Sequence, residues 1–387
     1  MFIGPLIRGL PEDEKYLKLL TDTGKIDLAF VKLYDKIYIL STGKSRWPAS
    51  LLRSRNTNLI VGGEKFSGRA CLVTDLQMRE KINALFKDRY GDNNFSRWFD
   101  HSSRLIEVDL GNKKQENSDS YFEWLKEEFE SISSDYDRHI FGNRINSFLR
   151  ERSLAIMERI FPQGSNLMEI GCGTGTETIS MLQKGYRITA IDISPRMLDE
   201  VNRKAQNLGL SEQLKTHAAK ATDIGRPGSP LKGETFDGIY STYGAMNCEP
   251  GIAGLPVEFS RLIRPGGVLF LGMFNRLCAS EIIMHLGGLK VQRIFERFRT
   301  PVQEGSSRFC IDVFAYSPMY IRKLFSSNFR MISYEAVPLI LPPSNYAHQL
   351  EKFTGDSRRL EKLDIRLSRL PGLRALGDHF LMWFEKI

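Results

Sequence analysis

Two apolar patterns alternate along the second half of the chain. Short apolar runs bounded by Gly, Asn or charged residues are followed by stretches in which apolar residues recur at helical spacing. Such runs are typical of buried strands and such stretches of amphipathic helices, so their alternation predicts an α/β fold with a doubly wound parallel sheet. The predicted strands are 166–170, 187–191, 214–218, 236–240 and 268–274, with 330–341 and 380–386 completing the sheet as an antiparallel pair; the predicted helices include 121–132, 146–160 and 316–325.

The chain before residue 111 has a different pattern. Strand-like runs are punctuated by Gly, Asn and Ser, and one stretch has helical spacing, which predicts a small α+β or barrel-like module. The runs are 36–41, 49–53, 58–62, 70–74 and 105–110, and the helix is 76–90. Because 387 residues exceed what one hydrophobic core usually organises, we predict a module at 1–112, a polar linker at 113–120 and an α/β domain at 121–387.

Two long excursions interrupt the α/β pattern, and we predict that they form lid insertions near 277–315 and 343–378. Within the first, apolar residues at helical spacing predict one amphipathic lid helix over 280–298. Lys290, Arg293 and Arg297 lie between those apolar residues. We interpret these three charges as a solvent-exposed basic face of the helix rather than as a site that binds an anionic acceptor.

Composition narrows the class of protein. Hydrophobic residues make up 42% and charged residues 26%, and no apolar run approaches the roughly 18 residues of a membrane helix. Without a signal-peptide pattern at the start, we expect a cytoplasmic protein with no membrane span. Five widely spaced cysteines predict reduced thiols and no metal site. The net charge of +8 is spread along the chain, which favours solubility over a polyanionic partner.

A glycine-rich turn follows the first predicted strand of the α/β domain. Its sequence runs from Gly171 to Gly175, and glycine there lets backbone approach a ligand closely. Position 176 is Thr, so the Gly-x-Gly-x-x-Gly pattern of dinucleotide enzymes is not met. Glu169 before the turn favours a cationic ligand over pyrophosphate, and Asp192 after the next strand suits the hydroxyls of a ribose.

These motifs resemble the class I S-adenosylmethionine-dependent methyltransferases of the small-molecule, quinone-methylating type. Supporting segments are Asp135-Tyr136-Asp137, 169–175, 192–197, 236–240 and 262–267. The resemblance implies a Rossmann-like seven-stranded sheet that binds S-adenosylmethionine and releases S-adenosylhomocysteine. It implies that Glu169 and the glycines hold the methionine portion, Asp192 the ribose, and Ile193 and Met197 the adenine. The implied cofactor residues are Tyr136, Glu169, Gly171, Cys172, Gly173, Gly175, Asp192, Ile193, Met197, Ala221, Thr222 and Ser241.

Methyl transfer needs alignment and sometimes a base, so few catalytic residues are obligatory. The acceptor is expected outside the carboxyl ends of the strands, which selects the loop 241–248 with Tyr243 and Asn247. His285 and His379 are candidate bases because imidazole titrates near neutrality. For all four residues, a purely structural role stays open. The resemblance implies a small or lipid-like acceptor, and nucleic-acid methylation is less favoured because the loop lacks the Asn/Asp-Pro-Pro-Tyr/Phe sequence of many nucleic-acid methylating enzymes.

The amino-terminal module resembles the split β-barrel family that binds flavin or deazaflavin. Ser41-Thr42-Gly43-Lys44-Ser45 is similar to the family's phosphate-binding turn, but Arg46-Trp47 stand where the family has Gly. A degenerate barrel used for homodimerisation or as a wall of the acceptor site is therefore favoured over a flavin-linked oxidoreductase. A methyltransferase-like scaffold without catalytic activity is the third alternative.

Overall fold

The structure is a computed structural model. The chain divides into two compact units, with a boundary between Trp124 and Leu125. The predicted linker lies outside the described residues, as do parts of the predicted helix 121–132 and of both predicted lids, so the domain bounds stay predictions. The structure describes residues 16–21, 24–33, 36–41, 47–54, 56–61, 64–99, 103–110, 121–122, 125–126, 129–130, 133, 136–137, 143–225, 228–229, 231, 233–287, 291–298, 302, 313–344, 346–347 and 357–387.

The first unit contains a closed antiparallel barrel of six strands, which confirms the predicted barrel-like module. Alternate strand residues such as Leu17, Leu19, Ile37 and Ile39 are fully buried in one apolar cluster. The strand order is β1-β2-β3-β6-β5-β4. The elements are β1 Tyr16–Thr21, β2 Gly24–Leu33, β3 Lys36–Ser41, α1 Trp47–Ser54, β4 Asn56–Val61, β5 Glu64–Leu72, α2 Leu76–Tyr90, α3 Asp92–Trp98 and β6 Arg104–Asp109.

Two expectations for this unit are wrong. The run 49–53, predicted as a strand, lies within helix α1, where Pro48 occupies the first turn and Leu51 is buried. Proline is well tolerated at that position because the first N–H groups of a helix have no intrahelical partner, and a run this short shows no decisive period. In addition, Cys71 is disulfide-bonded rather than reduced, whereas Cys172 and Cys278 are free and buried.

The second unit is built on a seven-stranded sheet in the order β12-β13-β11-β10-β7-β8-β9, as predicted for the Rossmann-like fold. Its strands are β7 Asn166–Ile170, β8 Arg187–Asp192, β9 Leu214–Ala218, β10 Phe236–Ser241, β11 Ile263–Phe274, β12 Phe329–Val337 and β13 His379–Lys386. Its helices are α4 Arg144–Ile160, α5 Thr176–Gln183, α6 Pro195–Asn207, α7 Leu255–Leu262, α8 Ala279–Gly287, α9 Pro318–Phe325 and α10 Ser357–Leu367, with 3-10 segments Ser211–Gln213, Ala245–Cys248, Ile252–Gly254, Val291–Phe298 and Leu373–Ala375.

The sheet changes direction at one strand only. β12 and β13 finish the sheet as an antiparallel pair, as predicted; because β13 also pairs antiparallel with β11, β12 runs parallel to the remaining strands. Apolar layers cover both faces: Met168 and Ile170 of β7 pack into one layer, and Leu167 into the other. Because β7 lies where the strand order reverses, its carboxyl end opens on the crevice in which α/β proteins bind ligands.

The first lid insertion differs from the single predicted helix. Helix α8 ends at Gly287, and a separate 3-10 segment covers Val291–Phe298. Arg297, predicted to lie on a solvated face, has a side chain only 7% exposed and forms ion pairs with Glu281 and Asp378. The pairing of a buried guanidinium with two carboxylates explains the difference, because helical periodicity does not reveal long-range partners. Among the described helices, none has both the length and the hydropathy needed to cross a membrane.

Gly238 of β10 provides a test of the core. A Cβ at this position would lie 2.4 Å from the Phe161 ring and 2.7 Å from the Val268 carbonyl oxygen. We expect Gly238→Ala to lower the free energy of unfolding by about 1–3 kcal/mol, measured by urea denaturation. Gly254→Ala is the matched control, since its Cβ would meet no atom within 4 Å; equal losses in the two variants would contradict the proposed steric cause.

Candidate functional site

The glycine-rich turn joins β7 to α5 and crosses the carboxyl edge of the sheet. Gly171, Gly173 and Gly175 have φ angles of 71°, 54° and 80°, a region that favours glycine. A Cβ on Gly171 would lie 2.3 Å from the Cβ of Ala245, and one on Gly175 would lie 2.8 Å from the side chain of Val201. The turn thus exposes bare backbone beside the start of α5, which has no side-chain cap.

Asp192, the last residue of β8, holds this turn. Its Oδ2 accepts a hydrogen bond from the Gly173 N–H at 2.9 Å, and its Oδ1 accepts one from the Ser194 N–H at 3.0 Å. Burial raises the pKa of Asp192 although these N–H groups oppose the rise. The structure therefore brings the predicted ribose-binding carboxylate to the predicted turn.

Glu169 lies within the sheet, one residue before the end of β7. It is 1% exposed, and its Oε2 accepts hydrogen bonds from the hydroxyls of Thr178 and Tyr240, at 2.5 and 2.9 Å. Burial, reinforced by the nearby carboxylate of Glu177, raises the pKa of Glu169 to about 8. This carboxyl is therefore largely protonated at neutral pH, whereas the sequence predicted a carboxylate.

The other predicted cofactor residues differ in their exposure to solvent. Cys172, Met197 and Ala221 are buried, whereas Ile193 and Thr222 are partly exposed. The ring of Tyr136 lies 3.6 Å from the position of a Cβ on Gly173. Ser241 is fully buried and donates its hydroxyl to the Ile170 carbonyl at 2.9 Å. Its bond joins β10 to β7 and favours a structural role for that residue.

Sequence reasoning missed Arg150, a buried cation beside the turn. Its Nη1 donates to Glu177 at 2.5 Å, and its guanidinium lies 4.4 Å from the centroid of the Tyr243 ring. The signal was present in the helical spacing of α4, where Asn146, Arg150 and Ser153 occupy buried positions among apolar residues. A polar residue on the buried face of an amphipathic helix is informative because its burial requires a partner.

Tyr243 begins the loop after β10 in a strained conformation. Its φ of 59° lies in the left-handed region that bulky residues seldom adopt. Among the described residues, no group forms a hydrogen bond with its buried hydroxyl, and burial raises the pKa of that hydroxyl well above the ordinary value. Backbone strain and an unpartnered polar atom at a strand's carboxyl end are the features by which ligand sites are recognised.

The other three acceptor-side candidates differ in surroundings. Asn247 donates both amide hydrogens to the carbonyls of Phe274 and Phe314 and accepts from the Phe274 N–H, which favours a positioning role. His285 is buried in α8, with its Nε2 3.5 Å from Glu281 Oε1 and its ring against Tyr346. His379 stacks on Tyr243 with ring centroids 6.3 Å apart, so these two candidates lie together.

His379 is oriented by the residue before it. Its Nδ1 lies 3.0 Å from Asp378 Oδ2, and its ring packs against Phe274. Burial alone would raise the pKa of Asp378, but Arg297 and His379 hold it at about 2. An ionised carboxylate on Nδ1 keeps the proton there and leaves Nε2 as the basic nitrogen, which is the arrangement of a general base.

Comparison with known proteins agrees with this geometry. Residues 167–267 match the family described as "Methyltransferase domain", so this stretch is a methyltransferase domain. The chain is 26% identical over 127 residues to sterol 4-C-methyltransferase of Caenorhabditis elegans, covering 33% of this chain and 36% of that protein. It is 27% identical over 154 residues to demethylmenaquinone methyltransferase of Tropheryma whipplei strain Twist, covering 39% and 59%.

The chain thus spans between about a third and three fifths of these curated relatives. Among solved structures, 1,6-didemethyltoxoflavin-N1-methyltransferase of Burkholderia thailandensis is 16% identical with a TM-score of 0.44, over 71% of this chain and 92% of that chain.

The raised pKa of Glu169 predicts a pH-dependent stability. Because folding favours the protonated carboxyl, its contribution falls as the pH rises from about 4.5 towards 8. Glu169→Gln keeps a neutral acceptor, so its melting temperature relative to wild type should rise by at least about 5 °C between pH 5 and 8.5. Glu385→Gln, at an exposed ion pair with Arg330, is the control in the same thermal-melting series. A Glu169→Gln curve parallel to wild type would contradict the assignment.

Proposed function

We propose that this chain is an S-adenosylmethionine-dependent methyltransferase acting on a small or lipid-like organic acceptor. The observation that carries the proposal is the joining of a bare glycine turn to the Asp192 carboxylate at the strand-order reversal of a methyltransferase domain. The curated relatives, named for methylation of sterols and quinones, support a small-molecule acceptor.

The residues present fit the ligand. Without side chains, Gly171 and Gly175 pack directly against Ala245 and Val201. Among the described residues, a Cβ at Gly173 would come nearest to the Tyr136 ring, at 3.6 Å, so the backbone at Gly173 is accessible to a ligand. Asp192 would hold the ribose hydroxyls, and the backbone from 171 to 175 the methionine portion. Glu169, buried behind the turn, would respond to the ligand's positive charge by releasing its proton, because a nearby cation stabilises the carboxylate.

When bound there, S-adenosylmethionine supplies a methyl group that leaves a sulfonium, with the electron pair of the broken bond returning to sulfur. The chain's own contribution is to align the acceptor and take its proton. We propose that Tyr243 contacts the acceptor through its hydroxyl and that Nε2 of His379, activated by Asp378, receives the proton. The stacking of the two rings and the Asp378 contact support these roles.

Binding of S-adenosylhomocysteine, measured by isothermal titration calorimetry, tests the cofactor site. We expect Asp192→Ala to weaken binding by about 10- to 100-fold, since a charged acceptor of ribose hydroxyls is lost. Asp199→Ala, on the exposed surface of α6, should bind within about twofold of wild type. Unchanged affinity in a folded Asp192→Ala protein would contradict the assignment, and no saturable binding by wild type would remove the proposed activity.

Transfer of a labelled methyl group to an extracted metabolite pool tests the acceptor side. We expect His379→Gln to lower turnover by about 100-fold while leaving S-adenosylhomocysteine affinity unchanged, because the base acts only in the reaction. His217→Gln, in β9, is the matched control. Wild-type turnover in His379→Gln would contradict the role of the base, and saturable binding without any labelled product would favour a scaffold. The Thr42–Ser45 turn lies outside the described residues, so flavin binding is left to an absorbance spectrum of the purified protein.

A further inference from the structure

Arg297 is a buried cation carried by the lid segment Val291–Phe298. Its guanidinium packs 4.1 Å from the centroid of the Phe274 ring. It donates from Nη1 to the backbone carbonyls of Asn275 and Asp378, both at 3.0 Å, and from Nε to the Glu281 carboxylate. One lid side chain therefore joins the end of β11, the start of β13 and helix α8.

The fourth bond of this guanidinium leads to the candidate base. Arg297 Nη2 donates to Asp378 Oδ1 at 2.5 Å, while Asp378 Oδ2 lies 3.0 Å from His379 Nδ1. The two oxygens of one buried carboxylate are thus divided between the lid and the imidazole. An unpaired carboxylate at this depth would be costly, so Arg297 supplies the charge that keeps Asp378 ionised.

The charged and titratable groups near His379 come from several elements. Asp378 adjoins it, Tyr243 stacks on it from the loop after β10, and the Arg150 guanidinium lies 4.4 Å from the centroid of the Tyr243 ring. Arg297 and Glu281 stand behind Asp378. Cys278 is also close to this group, and burial raises the pKa of its thiol to about 11, so it stays neutral. Arg297 is therefore the cation that contacts the carboxylate of the Asp378–His379 pair.

We propose that Arg297 is a positioning residue for His379, acting through Asp378, so that docking of the lid segment sets the orientation and the tautomer of the base. Its catalytic meaning rests on the methyltransferase function proposed above. The lid cation stabilises the Asp378 carboxylate, the carboxylate fixes the proton on His379 Nδ1, and Nε2 faces the acceptor as a base. Undocking of the segment would leave the Asp378 carboxylate without its cation and the His379 ring without a fixed orientation.

The experiment follows His379 directly by nuclear magnetic resonance of the full chain labelled with ¹⁵N-histidine, with His379→Gln used to assign its signals. Because Arg297→Met removes the cation that holds Asp378 in place, it should displace the ring ¹⁵N signals of His379 and weaken its preference for the Nδ1-protonated tautomer. Arg297→Lys keeps the charge and should show less than half of that shift. Arg152→Met, which breaks the buried Arg152–Glu335 pair elsewhere in the unit, should leave His379 unchanged.

Unchanged ring signals and tautomer of His379 in Arg297→Met, or equal signal shifts in Arg297→Met and Arg152→Met, would overturn the proposal, since both results describe a merely structural ion pair. If Arg297→Met does not fold, Arg297→Lys decides: a small shift with tautomer mixing supports the proposal, and a wild-type spectrum overturns it. The proposed function fails separately, through absence of S-adenosylhomocysteine binding by wild type, whatever the histidine signals show.

Discussion

The hydrogen bond from the Gly173 N–H to the Asp192 carboxylate is the interaction on which the site depends. It ties the turn after β7 to the end of β8 at 2.9 Å, and so places bare backbone and a carboxylate on one edge of the sheet. Glycine is required in this turn because φ is positive at Gly171 and Gly173, and because Ala245 leaves no room for a Cβ on Gly171. Ala245, in the loop after β10, therefore packs directly against the turn.

The buried ionisable groups around this turn differ in their protonation states. Glu169 lies behind it with a raised pKa, Arg150 and Glu177 form an ion pair beside it, and Asp378 is held ionised on the acceptor side. Burial is the main reason why the pKa of Glu169 is raised, whereas Arg297 and His379 keep the pKa of Asp378 low although burial alone would raise it. A ligand that brings a positive charge to the turn would therefore change the protonation of Glu169 more than that of Asp378.

Much of the second unit was predictable because its strands are buried on both faces. The predicted runs 187–191 and 268–274 lie within β8 and β11, where most of their residues are buried, and the Gly171–Gly175 turn between strand and helix is a local feature. Prediction was less accurate where the apolar pattern is short or where the contacting residues are far apart in the sequence. The helix over Trp47–Ser54, the strands β1 and β2, and the division of the lid after Gly287 were missed or misassigned for this reason.

By itself, the sequence determined the fold class, the glycine turn and the identity of Asp192 as its companion, because strand period and glycine conformation are local properties. Only the tertiary structure decided which candidates meet. Tyr243 and His379 are 136 positions apart and stack because β10 and β13 both flank β11. The sequence alone did not distinguish Arg150 and Arg297 from the other basic residues. The role of a buried charge depends on the partners that the fold brings to it.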